Sequence, residues 1–153
     1  MHTGFSLLED RMKKLEEKLG YVFQDKELML HALTHSSYAN EHRSAGLTSN
    51  ERLEFLGDSV LGMVVADYLF RIHGNMPEGE LTRTRAALVC EGSLHEVAKT
   101  LGLGDYLRLG RGEDAGGGRT RPSILADATE ALLAAVYLDG GLTPARAIIQ
   151  KFI

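Results

Sequence analysis

Carboxylates lie at helical spacing inside the two most apolar stretches of the chain, with no basic residue among them. Glu51, Glu54 and Asp58 fall at i, i+3 and i+7 in a segment from Asn50 to about His73, and Asp127 and Glu130 repeat the i, i+3 step between Ile124 and Leu138. A period of 3.6 residues puts each set on one helix face. No Lys or Arg occurs between Leu53 and Asp67 or between Ile124 and Leu138. Like charges at this spacing repel by a few tenths of a kcal/mol per pair when exposed, and burying them unpaired costs far more. A fold that buries these apolar faces must therefore bring the acids to something cationic. A ligand set made only of oxygen points to a hard divalent ion, Mg²⁺ or alternatively Mn²⁺. The simplest assembly crosses the two helices, with Glu54 and Asp58 facing Asp127 and Glu130. Glu51 lies in the first turn and also suits dipole capping, an explanation that fades before Asp58.

The remaining pattern is helix after helix, with no convincing strand alternation. Leu8, Met12, Leu15 and Leu19 mark one face of a helix over 7–19 that Gly20 stops, and Asp25 can cap a second from Lys26 to His35. A polar connection covers Asn40 to Ser49. Thr48 and Glu51 then read as a capping box opening the helix from Asn50. Apolar residues on nearly every face of that helix predict a central, buried position. Further helices are expected over Glu78–Val89, Leu94–Leu101, from Pro122 to Leu138 with Ser123 as cap, and from Pro144. Gly110, Gly112, Gly116, Gly117 and Gly118 alternate with arginines, predicting a mobile basic loop. The fold class expected is a single all-α domain over residues 1–153.

Composition narrows the functional classes. At 44% hydrophobic and 25% charged, the 153-residue chain is too apolar for disorder. Its longest apolar run, Ala131 to Leu138, is too short to cross a bilayer, and no signal-peptide pattern opens the chain, so a cytoplasmic protein without membrane association is expected. Cys90 is the only cysteine, which excludes an intrachain disulfide and any cysteine-cluster metal site. It has no evident activating partner and is expected to pack. His31 and His35 stand four apart but lack the acidic partner of a zinc-protease motif, and both read as structural. A net charge of -4 argues against a module that binds nucleic acid by charge alone.

The run Asn50-Glu-Arg-Leu-Glu-Phe-Leu-Gly-Asp-Ser59 resembles the signature of the ribonuclease III family. His31-Ala-Leu-Thr-His-Ser-Ser, Met76-Pro-Glu-Gly-Glu-Leu-Thr-Arg and Leu125-Ala-Asp-Ala-Thr-Glu-Ala-Leu are similar to its other motifs, in the family's order. The resemblance implies an all-α endonuclease domain that cuts double-stranded RNA as a symmetric homodimer, a hydrolase serving ribosomal precursor, messenger and small-RNA processing. It implies that Glu54, Asp58, Asp127 and Glu130 hold the metal, that Glu51 and Glu78 are further acids near the scissile phosphate, and that Phe55 enters a pocket on the partner subunit. Family members usually continue into a double-stranded-RNA-binding domain, which is absent from this chain. Arg83, Arg85, Arg108, Arg111, Arg119 and Arg121 are the candidate RNA contacts.

Setting the six implied acids aside leaves more bases than acids in the remainder, so the acidity is concentrated where a cation would sit. Two rival classes stay open at this stage: a duplex-RNA-binding module of the same fold that does not cut, and an unrelated helical, metal-dependent nucleotide phosphohydrolase.

Overall fold

A computed structural model of the protein describes residues 4–153, with side chains described from Leu7. Nine α-helices follow one another among the described residues: α1 (Gly4–Leu19), α2 (Lys26–Ala32), α3 (Ser36–Glu41), α4 (Glu51–Ile72), α5 (Glu78–Val89), α6 (Glu91–Leu101), α7 (Arg111–Ala115), α8 (Pro122–Gly140) and α9 (Leu142–Phe152). Single 3-10 turns at Arg43–Ala45, Leu103–Tyr106 and Gly118–Thr120 join some of them. The all-α expectation holds. No helix among the described residues is long and apolar enough to cross a membrane.

The centre is α8 rather than α4. Residues 124–126 and 128–136 of α8 are all buried, and α2, α4, α6 and α9 pack around them. Alanines at 126, 128, 131, 134 and 135 let these neighbours approach closely, while Leu132, Leu133 and Val136 fill the space between. Each fully buried Leu or Val contributes about 1.5 to 3 kcal/mol. On α4 only one side is buried, through Leu53, Gly57, Val60, Leu61, Val64, Val65 and Leu69. Its other face exposes Phe55, Met63 and Phe70 to solvent. Apolar residues all round α4 therefore reflect two apolar faces, only one of which this chain covers.

α6 opens at Glu91 rather than Leu94 and α9 at Leu142 rather than Pro144, and two further differences from the sequence reading arise through tertiary hydrogen bonds. The helix expected to reach His35 stops at Ala32, because Thr34 forms a parallel bridge with Arg108: Arg108 N–H donates to Leu33 O at 2.8 Å and His35 N–H donates to Arg108 O at 3.1 Å. The Thr48–Glu51 capping box does not form. Asn50 holds the cap position and its side-chain amide donates instead to Ala32 O at 2.9 Å, while the Thr48 hydroxyl faces His31. Finally, Ser123 is not a cap, since α8 begins at Pro122, whose fixed φ suits the first helical position.

The glycine-rich segment is folded, not an open basic loop. It forms α7 and the following turn, tied by Arg119 to Asp114 and by Arg121 to Glu113. Cys90 is also not packed: it is exposed at the α5–α6 junction, where a hydrogen bond with Ser93 draws its thiol below the usual range.

Candidate metal centre

The site lies where α4 crosses α8. Gly57 faces the Glu130 backbone at this crossing, so Glu54 and Asp58, one on each side of Gly57 along α4, flank the inner face of α8. Carboxylate oxygens of Glu54, Asp127 and Glu130 lie within 4.8 Å of one another. Oxygen ligands surround a divalent cation at roughly 2.0 to 2.6 Å, so one ion between these three would need only small side-chain adjustments.

The electrostatics are those of an uncompensated acidic cluster. Glu130 is 8% exposed and its Oε2 has no hydrogen-bond partner. Burial, a hydrogen bond with Asp58, and the charges of Asp58, Glu54 and Asp127 push its carboxyl from 4.5 up to about 8. Burial raises Glu54 too, reinforced by Asp127, Asp58 and Glu51. No Lys or Arg of the described ion pairs reaches any of the four carboxylates that the sequence singled out. A buried carboxylate oxygen with nothing to bond is costly in a folded protein, and a hard cation is the partner whose chemistry fits an all-oxygen set.

Asp58 joins through Glu130, and Glu51 adjoins Glu54 at the start of α4. Glu78 stands apart from the trio. It opens α5, is exposed, and accepts from the Thr82 hydroxyl at 2.8 Å. Two residues outside the predicted acidic set border the cluster, Glu91 and His35, the latter read from the sequence as structural. Burial raises the Asp127 carboxyl, the charge of Glu91 raises it further, and His35 opposes both. Glu91 is the first residue of α6 and His35 precedes α3, so no periodicity within α4 or α8 could have pointed to either.

The six candidate arginines divide into two groups. Arg108 donates to the Thr34 hydroxyl and Leu30 O and covers the Tyr38 ring, Arg119 grips Asp114 and two carbonyls, and Arg121 pairs with Glu113. These three guanidinium groups hold the fold together. Arg83 and Arg85 on α5 and Arg111 on α7 are exposed, and no described ion pair uses them. Phe55 is 78% exposed, and Phe70 on the same face of α4 is 73% exposed.

Residues 25–153 match the Ribonuclease-III-like family model. The chain is 58% identical over 130 residues to Ribonuclease 3 of Oceanobacillus iheyensis, covering 85% of this chain and 57% of that protein. With Ribonuclease 3 of Pelotomaculum thermopropionicum it shares 52% identity over 145 residues, 95% of this chain and 60% of that one. It thus spans less than two thirds of these curated relatives. Among solved structures, the nuclease domain of ribonuclease III from Campylobacter jejuni, described for structural flexibility in the region involved in its dimer formation, superposes with a TM-score of 0.87 at 44% identity. That match covers 93% of this chain and 95% of the other.

Proposed function

The chain belongs to the ribonuclease III family, and on that premise we propose that it is the catalytic part of a divalent-metal-dependent endoribonuclease acting on double-stranded RNA. The observation carrying the proposal is the convergence of Glu54, Asp127 and Glu130 around a buried, unpartnered Glu130 oxygen. Glu54, Asp127 and Glu130, with Asp58 alongside, would hold Mg²⁺, or Mn²⁺ in its place, which when bound would supply charge neutralisation and activation of the attacking water. Hydrolysis adds the water oxygen to phosphorus and breaks the bond to the 3′ oxygen, which leaves with a proton. The products are a 5′-phosphate and a 3′-hydroxyl.

The protein's own groups do the positioning. The α4–α8 crossing fixes the carboxylates before substrate arrives, which avoids reorganisation during reaction. Burial, with Asp58 and the other carboxylates beside it, favours the protonated form of Glu130 when no cation is present, which limits the repulsion within the cluster. On this reading Glu51, which adjoins Glu54, and Glu78 at the start of α5 are further acids near the scissile phosphate.

Cutting both strands with a short 3′ overhang requires two sites related by symmetry. The exposed α4 face with Phe55 and Phe70 is the surface on which two copies of the chain meet as a homodimer. Recognition is by the A-form shape of the duplex, through phosphates and 2′-hydroxyls in the shallow minor groove, with Arg83, Arg85 and Arg111 free to contribute. Ribosomal precursors, messenger RNA and small RNAs in the cytoplasm are the substrate classes this reading covers.

The deciding experiment measures Mg²⁺-dependent cleavage of a long RNA duplex by the wild type, Asp58→Asn and Glu130→Gln. Loss of cleavage in both variants with retained fold supports the assignment. Equal rates at saturating metal would remove it, and duplex binding without cleavage by the wild type would leave a binding module.

A further inference from the structure

We propose that His35 is a substrate-contacting residue, whose Nε2–H donates a hydrogen bond to a backbone phosphate oxygen of the bound duplex beside Asp127. This rests on the reading of the site as a duplex-RNA nuclease.

The backbone anchors His35 next to both carboxylate-bearing helices. Asn50 N–H donates to Thr34 O at 2.9 Å, and the Asn50 amide donates to Ala32 O at 2.9 Å, so the segment ending at His35 is joined to the residue preceding Glu51. On its other side α2 packs against α8. The His35 N–H is fixed in turn by Arg108 O. Its side chain is half-buried, and it opposes the rise of the Asp127 carboxyl.

Hydrogen bonding also fixes the tautomer. Ser37 N–H donates to His35 Nδ1 at 3.1 Å, making the imidazole the N-cap of α3. The Ser37 hydroxyl accepts from Gly110 N–H at 2.8 Å and so has its own proton to give to Nδ1, also at 2.8 Å. With Nδ1 an acceptor twice over, the ring hydrogen of the neutral histidine resides on Nε2. Among the described residues, no hydrogen bond or ion pair uses that nitrogen.

A purely structural histidine would explain Nδ1 and leave Nε2 idle. Asn, Asp or Ser would cap α3 as well without placing a donor on the opposite edge. Once ionised, the four carboxylates of the cluster offer a phosphate only acceptors. A phosphodiester entering beside them is repelled unless donors meet it. His35 Nε2–H is such a group, on a ring held by its capping of α3.

The test uses His35→Asn, which keeps a good helix cap but removes the distal donor. Three measurements are compared with the wild type: thermal unfolding, equilibrium binding of a short RNA duplex without divalent metal, and ¹⁵N chemical shifts of the imidazole. The expected results are an unchanged unfolding temperature, binding weaker by about 10- to 100-fold as for loss of one hydrogen bond to a charged group, and a wild-type Nε2–H resonance that moves when duplex is added. A methylphosphonate at the contacted phosphate should then weaken the wild type and leave His35→Asn unaffected. Equal binding by the variant, or an Nε2–H signal unmoved by RNA, would overturn the proposal. If the wild type itself neither bound nor cut duplex RNA, the reading of the site would fail instead.

Discussion

A Cβ placed on Gly57 would lie 1.8 Å from the carbonyl oxygen of Glu130. No side chain fits there, and the obstacle is backbone that cannot swing away. The close approach draws Glu54 and Asp58 toward Asp127 and Glu130, so one glycine sets both the packing of the two longest helices and the width of the acidic cluster.

Gly57→Ala should therefore separate α4 from α8, costing about 3 kcal/mol or more, at or above the upper end for overpacking. Divalent-ion affinity should fall with it. Gly92→Ala is the matched control: it lies in α6 with only the Cys90 sulfur near its Cβ position, at 4.0 Å, and should stabilise by about 0.5 to 1 kcal/mol. Chemical denaturation and calorimetric Mg²⁺ titration of both variants check this. Unchanged stability in Gly57→Ala would show that the helices slide freely.

Glu130 makes stability without metal depend on pH in a definite direction. The unfolded carboxyl loses its proton near 4.5, whereas the folded one holds it to about 8. Between those values the folded state binds more protons, so stability falls as pH rises. Melting temperatures in chelator should decline from about pH 5 to 8, Mg²⁺ should restore most of the loss at the upper end, and Glu130→Gln should flatten the profile.

Asp139 ties the end of α8 to the α1–α2 connection. Its carboxylate accepts from the Tyr21 hydroxyl at 2.5 Å and from Gln24 N–H and Asp25 N–H, both at 2.9 Å. Burial opposes ionisation, but these donors, with Lys26 nearby, outweigh it and hold the carboxyl below its usual range. The folded state thus favours the carboxylate, and this contribution is lost as pH falls below about 4. Asp139→Ala should cost about 1 to 3 kcal/mol by orphaning the backbone donors, and Tyr21→Phe about 1 kcal/mol. Urea unfolding at pH 7 and pH 3 should show the Asp139→Ala penalty shrinking in acid.

Phe55 stabilises nothing within one chain, being 78% exposed. Phe55→Ala should leave the unfolding free energy of a dilute, monomeric sample within about 0.5 kcal/mol of wild type. It should weaken self-association, seen by sedimentation as a shift to monomer at micromolar concentration. Retention of a dimer at those concentrations would move the interface off this face of α4.

The helices were legible in the sequence because their information is local. A 3.6-residue apolar period located α1, α4, α6 and α8, and the bounds of α5 agree with the reading residue for residue. The convergence of Glu54, Asp127 and Glu130 was legible for a similar reason: acids at i, i+3 without neighbouring bases cannot be buried separately. The capping box at Thr48 and the helix end at His35 failed where a distant partner, Ala32 for Asn50 and Arg108 for His35, outcompeted the local hydrogen bond.

What the sequence by itself determined is which faces must be hidden and which carboxylates must be neutralised, because periodicity fixes the direction of a side chain around its own helix. Only the tertiary structure decided what stands next to those faces. It made α8 the centre, left an apolar face of α4 open, and used Arg108, Arg119 and Arg121 as ties within the chain. It also brought Glu91 and His35 to the edge of Asp127. Those outcomes depend on contacts between residues tens of positions apart, where a hydrogen bond at one junction chooses among arrangements that the local pattern leaves equal.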